Sequence, residues 1–152
     1  MSDDDQAKRM TPLGLFNFAD SYHKAANALQ KANVRSTHSD SPIYFLFYHT
    51  VELYLKSFLR LHGHSPQELR SSKKFGHRTC CLTERAAQLG LDFMDEDRQI
   101  FSLMSTTDAI IRSRYLETGY FTWPTLEGLN RLCNSLRESV GAELRKSGIS
   151  VR

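Results

Sequence analysis

No apolar run in this 152-residue chain reaches the roughly 18 residues needed to span a bilayer. The longest one is interrupted by His49, Glu52 and Lys56. The opening MSDDDQAKRM puts acidic residues where a signal peptide needs a basic segment followed by an apolar one. The expectation is therefore a soluble, cytoplasmic protein with no membrane association. Cysteine is equally sparse: Cys80 and Cys81 are neighbours and Cys133 is distant, an odd count that builds no disulfide framework and suits a reducing compartment. The chain has no glycine-rich phosphate loop and no G-x-S-x-G elbow, so nothing points to a nucleotide-hydrolysing P-loop or a serine hydrolase, and no cofactor is called for. Twenty basic residues against 17 acidic ones leave a net charge of +3, too small an excess for a dedicated DNA-binding module. Period-two alternation, internal repeats and low-complexity tracts are absent too.

What is present is helical periodicity. Residues 1–10 are polar and aperiodic and read as a flexible tail, leaving 11–148 as a single helical domain. Thr11-Pro12 is a helix start, with a capping hydroxyl before the residue favoured at the first helical position. Leu15, Ala19, Tyr22, Ala26 and Leu29 continue as one helical face to about Asn33. Ser41-Pro42 repeats the signal for a second helix, and Gly63 can close it. Ser65-Pro66 with Glu68 predicts a short helix over about 65–72. His77 opens the next, with Leu82, Ala86 and Leu89 as its stripe and Gly90 as its end. Ile100, Leu103, Met104, Thr107 and Ile111 form a further amphipathic face reaching Arg114 and Tyr115. LETGYFTWPT is a loop or small hairpin, and Leu126, Leu129, Cys133, Leu136, Val140 and Leu144 mark a last helix of near-heptad spacing. The fold class expected is all-α: an antiparallel helical bundle of about five helices.

The second of these helices, SPIYFLFYHTVELYLKSFLRLHG, is apolar nearly all round but carries His49, Glu52, Lys56 and Arg60 within a sector of roughly 80 degrees. Glu52 precedes Lys56 by four residues, the favourable order for a helical ion pair, and His49 stands three before Glu52. Two readings stay open: a strip facing water, or an internal polar site around a buried carboxylate. Arg114 extends the apolar face of its helix and would find Glu52 if it turned inward, whereas Asp108 and Arg112 sit on the opposite face at pairing distance. His77 follows Gly76 at a helix start, where the macrodipole favours a neutral imidazole. Lys73, Lys74 and Arg70 make a small basic patch beside it, and His62 and His64 flank Gly63 in an exposed loop. His77 with Cys80 and Cys81 lacks a second ligand pair at structural-site spacing, so no metal is assigned.

The VELYLKSFL stretch, the FGH that follows and the RSRY late in the chain together resemble HEPN domains, over roughly residues 41–115. The resemblance implies a HEPN-like bundle, usually homodimeric, in a family associated with RNA or nucleotide binding, with His49, Glu52, Lys56, His77, Arg114 and Tyr115 organising the site. Many members are metal-independent ribonucleases of toxin or defence systems, in which an Arg steadies the phosphate and a His transfers the proton. Here the late Arg could be Arg112 or Arg114, but no histidine follows His77; Arg70 and His77, with six residues between them, are the candidate catalytic pair. The expectation is RNA or nucleotide binding as a homodimer with little or no catalysis. The alternatives are a ribonuclease, or a protein-interaction module using the YFTW loop and the last helix.

Overall fold

The computed structural model describes residues 2–113 and 119–152. Among the described residues there are seven helices and no strand: α1 (Asp3–Arg9), α2 (Pro12–Ala32), α3 (Asp40–Leu61), α4 (Pro66–Arg70), α5 (Thr79–Gln88), α6 (Asp95–Ile111) and α7 (Leu126–Lys146). The chain is all-helical, as periodicity implied; α4 falls on the short helix expected over about 65–72, and α1 is the one helix among the described residues that was not expected. None of the helices is long and apolar enough to cross a membrane.

α3 is the axis. Every residue from Thr50 to Leu59 is buried, which a helix achieves only when neighbours cover all its sides. α2 and α7 supply most of that cover, with α4, α5 and α6 completing it. Phe47, Tyr48, Tyr54 and Phe58 fill the centre together with Phe16 of α2 and Leu129, Leu132 and Leu136 of α7, each side chain contributing on the order of 2 kcal/mol by leaving water. The near-heptad face of α7 thus lies inside the chain's own core and offers a partner nothing. Trp123 is half-buried against Tyr44, and the Tyr44 hydroxyl donates to the Pro124 carbonyl at 2.7 Å. Of the described aromatic residues in this loop, Tyr120 and Phe121 are exposed.

The helix starts follow capping chemistry. Thr11, Ser65 and Thr125 each accept the backbone N–H three residues on. α3 begins at Asp40, ahead of the expected Ser41-Pro42, so Pro42 occupies the first turn, where its missing N–H costs nothing. Gly63 and Gly90 close α3 and α5 with φ of 93° and 97°.

Three expectations need correction. Residues 3–9 are helical where a flexible tail was read: Ser2 caps the helix, Asp3, Asp4 and Asp5 fill the first turn and Lys8 and Arg9 the last, matching the macrodipole. Arg60 fastens α1, donating to the carbonyls of Met10 at 2.9 Å and Ala7 at 3.4 Å. α5 starts at Thr79, not His77, which lies in the turn before it. Asp108 is buried and not exposed on an outer face; its Oδ2 accepts the Thr79 N–H at 3.0 Å, so α6 caps α5 from across the bundle.

Candidate functional site

Glu52 stands in the middle of α3 with only 4% of its side chain exposed. The helix itself supplies Lys56 one turn on, whose Nζ donates to Oε1 at 2.7 Å. The turn before α5 supplies His77, with Nδ1 2.8 Å from the same oxygen. α6 ends at Ile111, and Arg112 just beyond it places Nη2 2.8 Å from Oε2. His49 approaches Oε2 with Nδ1 at 3.8 Å, beyond hydrogen-bond reach. The stripe on α3 therefore does not face water: Glu52 and Lys56 are enclosed, and Arg60 at its end serves the backbone of α1.

Burial alone would push the Glu52 carboxyl up, but His49, Lys56 and Arg112 outweigh it and hold the group well below the ordinary carboxylate range. An ionised carboxylate can only accept, so the proton between Glu52 and His77 sits on Nδ1. In the neutral ring Nε2 is then a lone-pair base, and with 65% of the side chain exposed it is reachable from solvent. Arg112 is less well served. Its contact with Oε2 is close but out of line for a hydrogen bond, and both Nε and Nη2 are buried without a hydrogen-bond partner.

His77 and Arg112 share a cavity of about 270 Å³, lined also by Arg78, Cys80, Ser105 and Asp108. Arg78 is held at its edge by the carbonyls of Lys73 and Lys74, 2.8 and 3.2 Å from Nη2. Asp108 leaves Oδ1 buried and unpaired, and burial pushes its carboxyl up. Two guanidinium groups and an imidazole face one carboxylate here, an arrangement that favours an anion. The volume falls short of the roughly 300 Å³ at which drug-sized pockets begin, and suits a phosphate with its sugar.

Of the residues read from sequence, Glu52, Lys56, His49 and His77 come together. The arginine beside Glu52 is Arg112, which the helical pattern had paired with Asp108; Arg114 and Tyr115 lie outside the described residues. Arg70 does not join His77. It donates to Gln6 at 3.0 Å and lines a separate cavity, because the turn between them carries His77 over α3 while Arg70 stays against α1. Asp108 was missed as a site residue, and Arg112, weighed only as the late arginine of the HEPN pattern, was not placed beside Glu52. The cysteines are all free, with the Cys80 and Cys81 sulfurs 3.8 Å apart, and among the described residues no three His, Cys, Asp or Glu side chains are grouped to hold a metal. No protein-family model, curated protein or solved structure matches the chain.

Proposed function

We propose that this chain is a HEPN-like helical protein that binds RNA or a nucleotide by its phosphate, as a homodimer, with little or no catalysis. One observation carries the reading: a guanidinium lines a cavity beside a reachable imidazole, both held by one ionised carboxylate. A phosphate in the cavity would meet the positive charge of Arg112 from its open side, and Arg78 at the edge would add a second charge. The HEPN assignment and the dimer rest on the sequence resemblance.

Arg78 is exposed and outside the core, so its replacement tests the site without endangering the fold. Arg78→Ala is expected to weaken binding of a labelled single-stranded RNA and to flatten its salt dependence, in a gel-shift or anisotropy titration. Unchanged affinity and salt slope would refute the phosphate site.

A second reading, ribonuclease, is favoured by the Glu52–His77 contact of 2.8 Å with the ring open to solvent. Nε2 would take the proton of a 2′-hydroxyl as its oxygen attacks phosphorus, and the 5′-oxygen would leave as an alcohol with a proton from water, giving a 2′,3′-cyclic phosphate with Arg112 facing it. RNA incubated without metal should then be cut by the wild type and spared by His77→Ala. Equal cleavage by both would assign the activity to a contaminant.

A further inference from the structure

A second cavity, of about 330 Å³, opens where α1, α2 and α3 meet. Its floor is apolar, formed by Met10, Leu15 and Leu53, and its walls carry the rings of Phe18, Tyr22 and His49. Arg9 and Arg70 complete it, and no Asp or Glu belongs to the lining. Phe18 is 61% exposed, a large ring left out of the core at the edge of a cavity. The rings run in sequence: Phe18 to Tyr22 at 6.4 Å, Tyr22 to His49 at 4.5 Å, and His49 to Phe45 at 5.9 Å and nearly parallel. Arg70 is steadied by Gln6, whereas Arg9 has no side-chain partner among the described residues.

We infer that this cavity is a stacking site for a planar aromatic ligand bearing an anionic group, and that a nucleoside monophosphate is its natural chemistry. The choice of a nucleotide rests on the function proposed above; the aromatic and anionic character rests on the cavity. An apolar floor and ring walls favour a flat π-system, and successive aromatic side chains form the platform on which bases stack irrespective of sequence. Two guanidinium groups with no carboxylate among them require a negative charge on the same ligand. The volume lies at the lower end of small-molecule sites, as fits one nucleotide. His49 stands with Nδ1 3.8 Å from Glu52, whose partners His77 and Arg112 line the first cavity.

The test is calorimetric titration with adenosine 5′-monophosphate, adenosine and ribose 5-phosphate against the wild type, Phe18→Ala, Arg9→Ala and Arg78→Ala, with melting temperatures measured in parallel. Phe18 and Arg9 lie outside the core, so both variants should melt as the wild type does. The monophosphate should bind more tightly than either fragment. Phe18→Ala should weaken it about tenfold, Arg9→Ala should bring it close to adenosine, and both effects should persist in an Arg78→Ala background. Monophosphate binding that is untouched by Phe18→Ala and Arg9→Ala but lost in Arg78→Ala would overturn this site and leave the earlier reading standing. If instead Phe18→Ala weakens the monophosphate while Arg78→Ala leaves RNA binding intact, this site stands and the earlier reading falls. Light scattering in which Phe18→Ala turns a dimer into a monomer without altering nucleotide affinity would assign the face to a second copy of the chain, against this inference.

Discussion

Glu52 and Glu68 hold the same pair of partners at the same distances. Each accepts from a lysine at 2.7 Å and stands 2.8 Å from a histidine Nδ1. Their surroundings differ: Glu52 is 4% exposed inside α3, while Glu68 on α4 is 36% exposed and reaches Lys74 across a turn. Both carboxyls are held low. Around Glu68 the hydrogen bonds from Lys74 and then His64 bring it to about 2, with burial opposing weakly. Around Glu52 burial is the largest influence and acts upward, so its partners must overcome it. Water can replace any partner that Glu68 loses; nothing replaces the enclosed Lys56 or Arg112 of Glu52. The same contacts therefore decorate the surface in one place and fix the interior in the other.

Removing each carboxylate should separate them most widely. Glu52→Ala leaves Lys56 and Arg112 enclosed without a counter-charge and should cost about 3–5 kcal/mol, whereas Glu68→Ala should cost less than about 1 kcal/mol; urea unfolding monitored by circular dichroism measures both. Acid should sharpen the contrast. A depressed carboxyl stabilises the fold fully above its unfolded value of about 4.3 and loses that contribution only as pH falls through its folded value. The stability difference between wild type and Glu52→Gln should thus stay flat from neutral pH down to about 5 and shrink in stronger acid.

Asp108 has the opposite sign, since burial raises its carboxyl. Its ionised form costs stability above the folded pKa, and protonation relieves that cost as pH falls. Asp108→Asn keeps an oxygen for the Thr79 N–H and should be neutral or stabilising by up to about 1 kcal/mol at pH 7, an advantage that fades in acid during the same unfolding series. The smallest effect belongs to His77. Its ring is mostly in water, and Glu52 retains Lys56 and Arg112, so His77→Ala should move the midpoint by less than about 1 kcal/mol while reducing RNA binding or cleavage.

The contrast also marks how far sequence reading reaches here. Helices α2–α7 were legible because apolar spacing, Thr-Pro and Ser-Pro starts and glycine stops agree locally. Glu52, Lys56 and His77 could be grouped because two share a helix and the third follows a glycine turn. Gly76 has φ of +51° and a Cβ there would meet Ser72 Cα at 3.2 Å, so the turn that delivers His77 depends on that glycine. Arg112 was weighed as the late arginine but not placed beside Glu52, because it stands one residue past α6, where face arithmetic no longer applies. Asp108 escaped because the four-residue rule favoured Arg112, while its actual donor, Thr79, lies 29 residues earlier. α1 was hidden by polarity: its hold on the fold comes through backbone carbonyls gripped by Arg60, which leave no apolar pattern.

The central claim is that an enclosed, ionised Glu52 fixes His77 and Arg112 for phosphate recognition. Its most direct measurement is the affinity of wild type, Glu52→Gln and Glu68→Gln for one labelled single-stranded RNA at pH 7, taken below each protein's melting temperature. The account requires Glu52→Gln to lose about tenfold or more in affinity while Glu68→Gln binds as the wild type does. Equal affinity for all three proteins, or equal loss in the two variants, would contradict it.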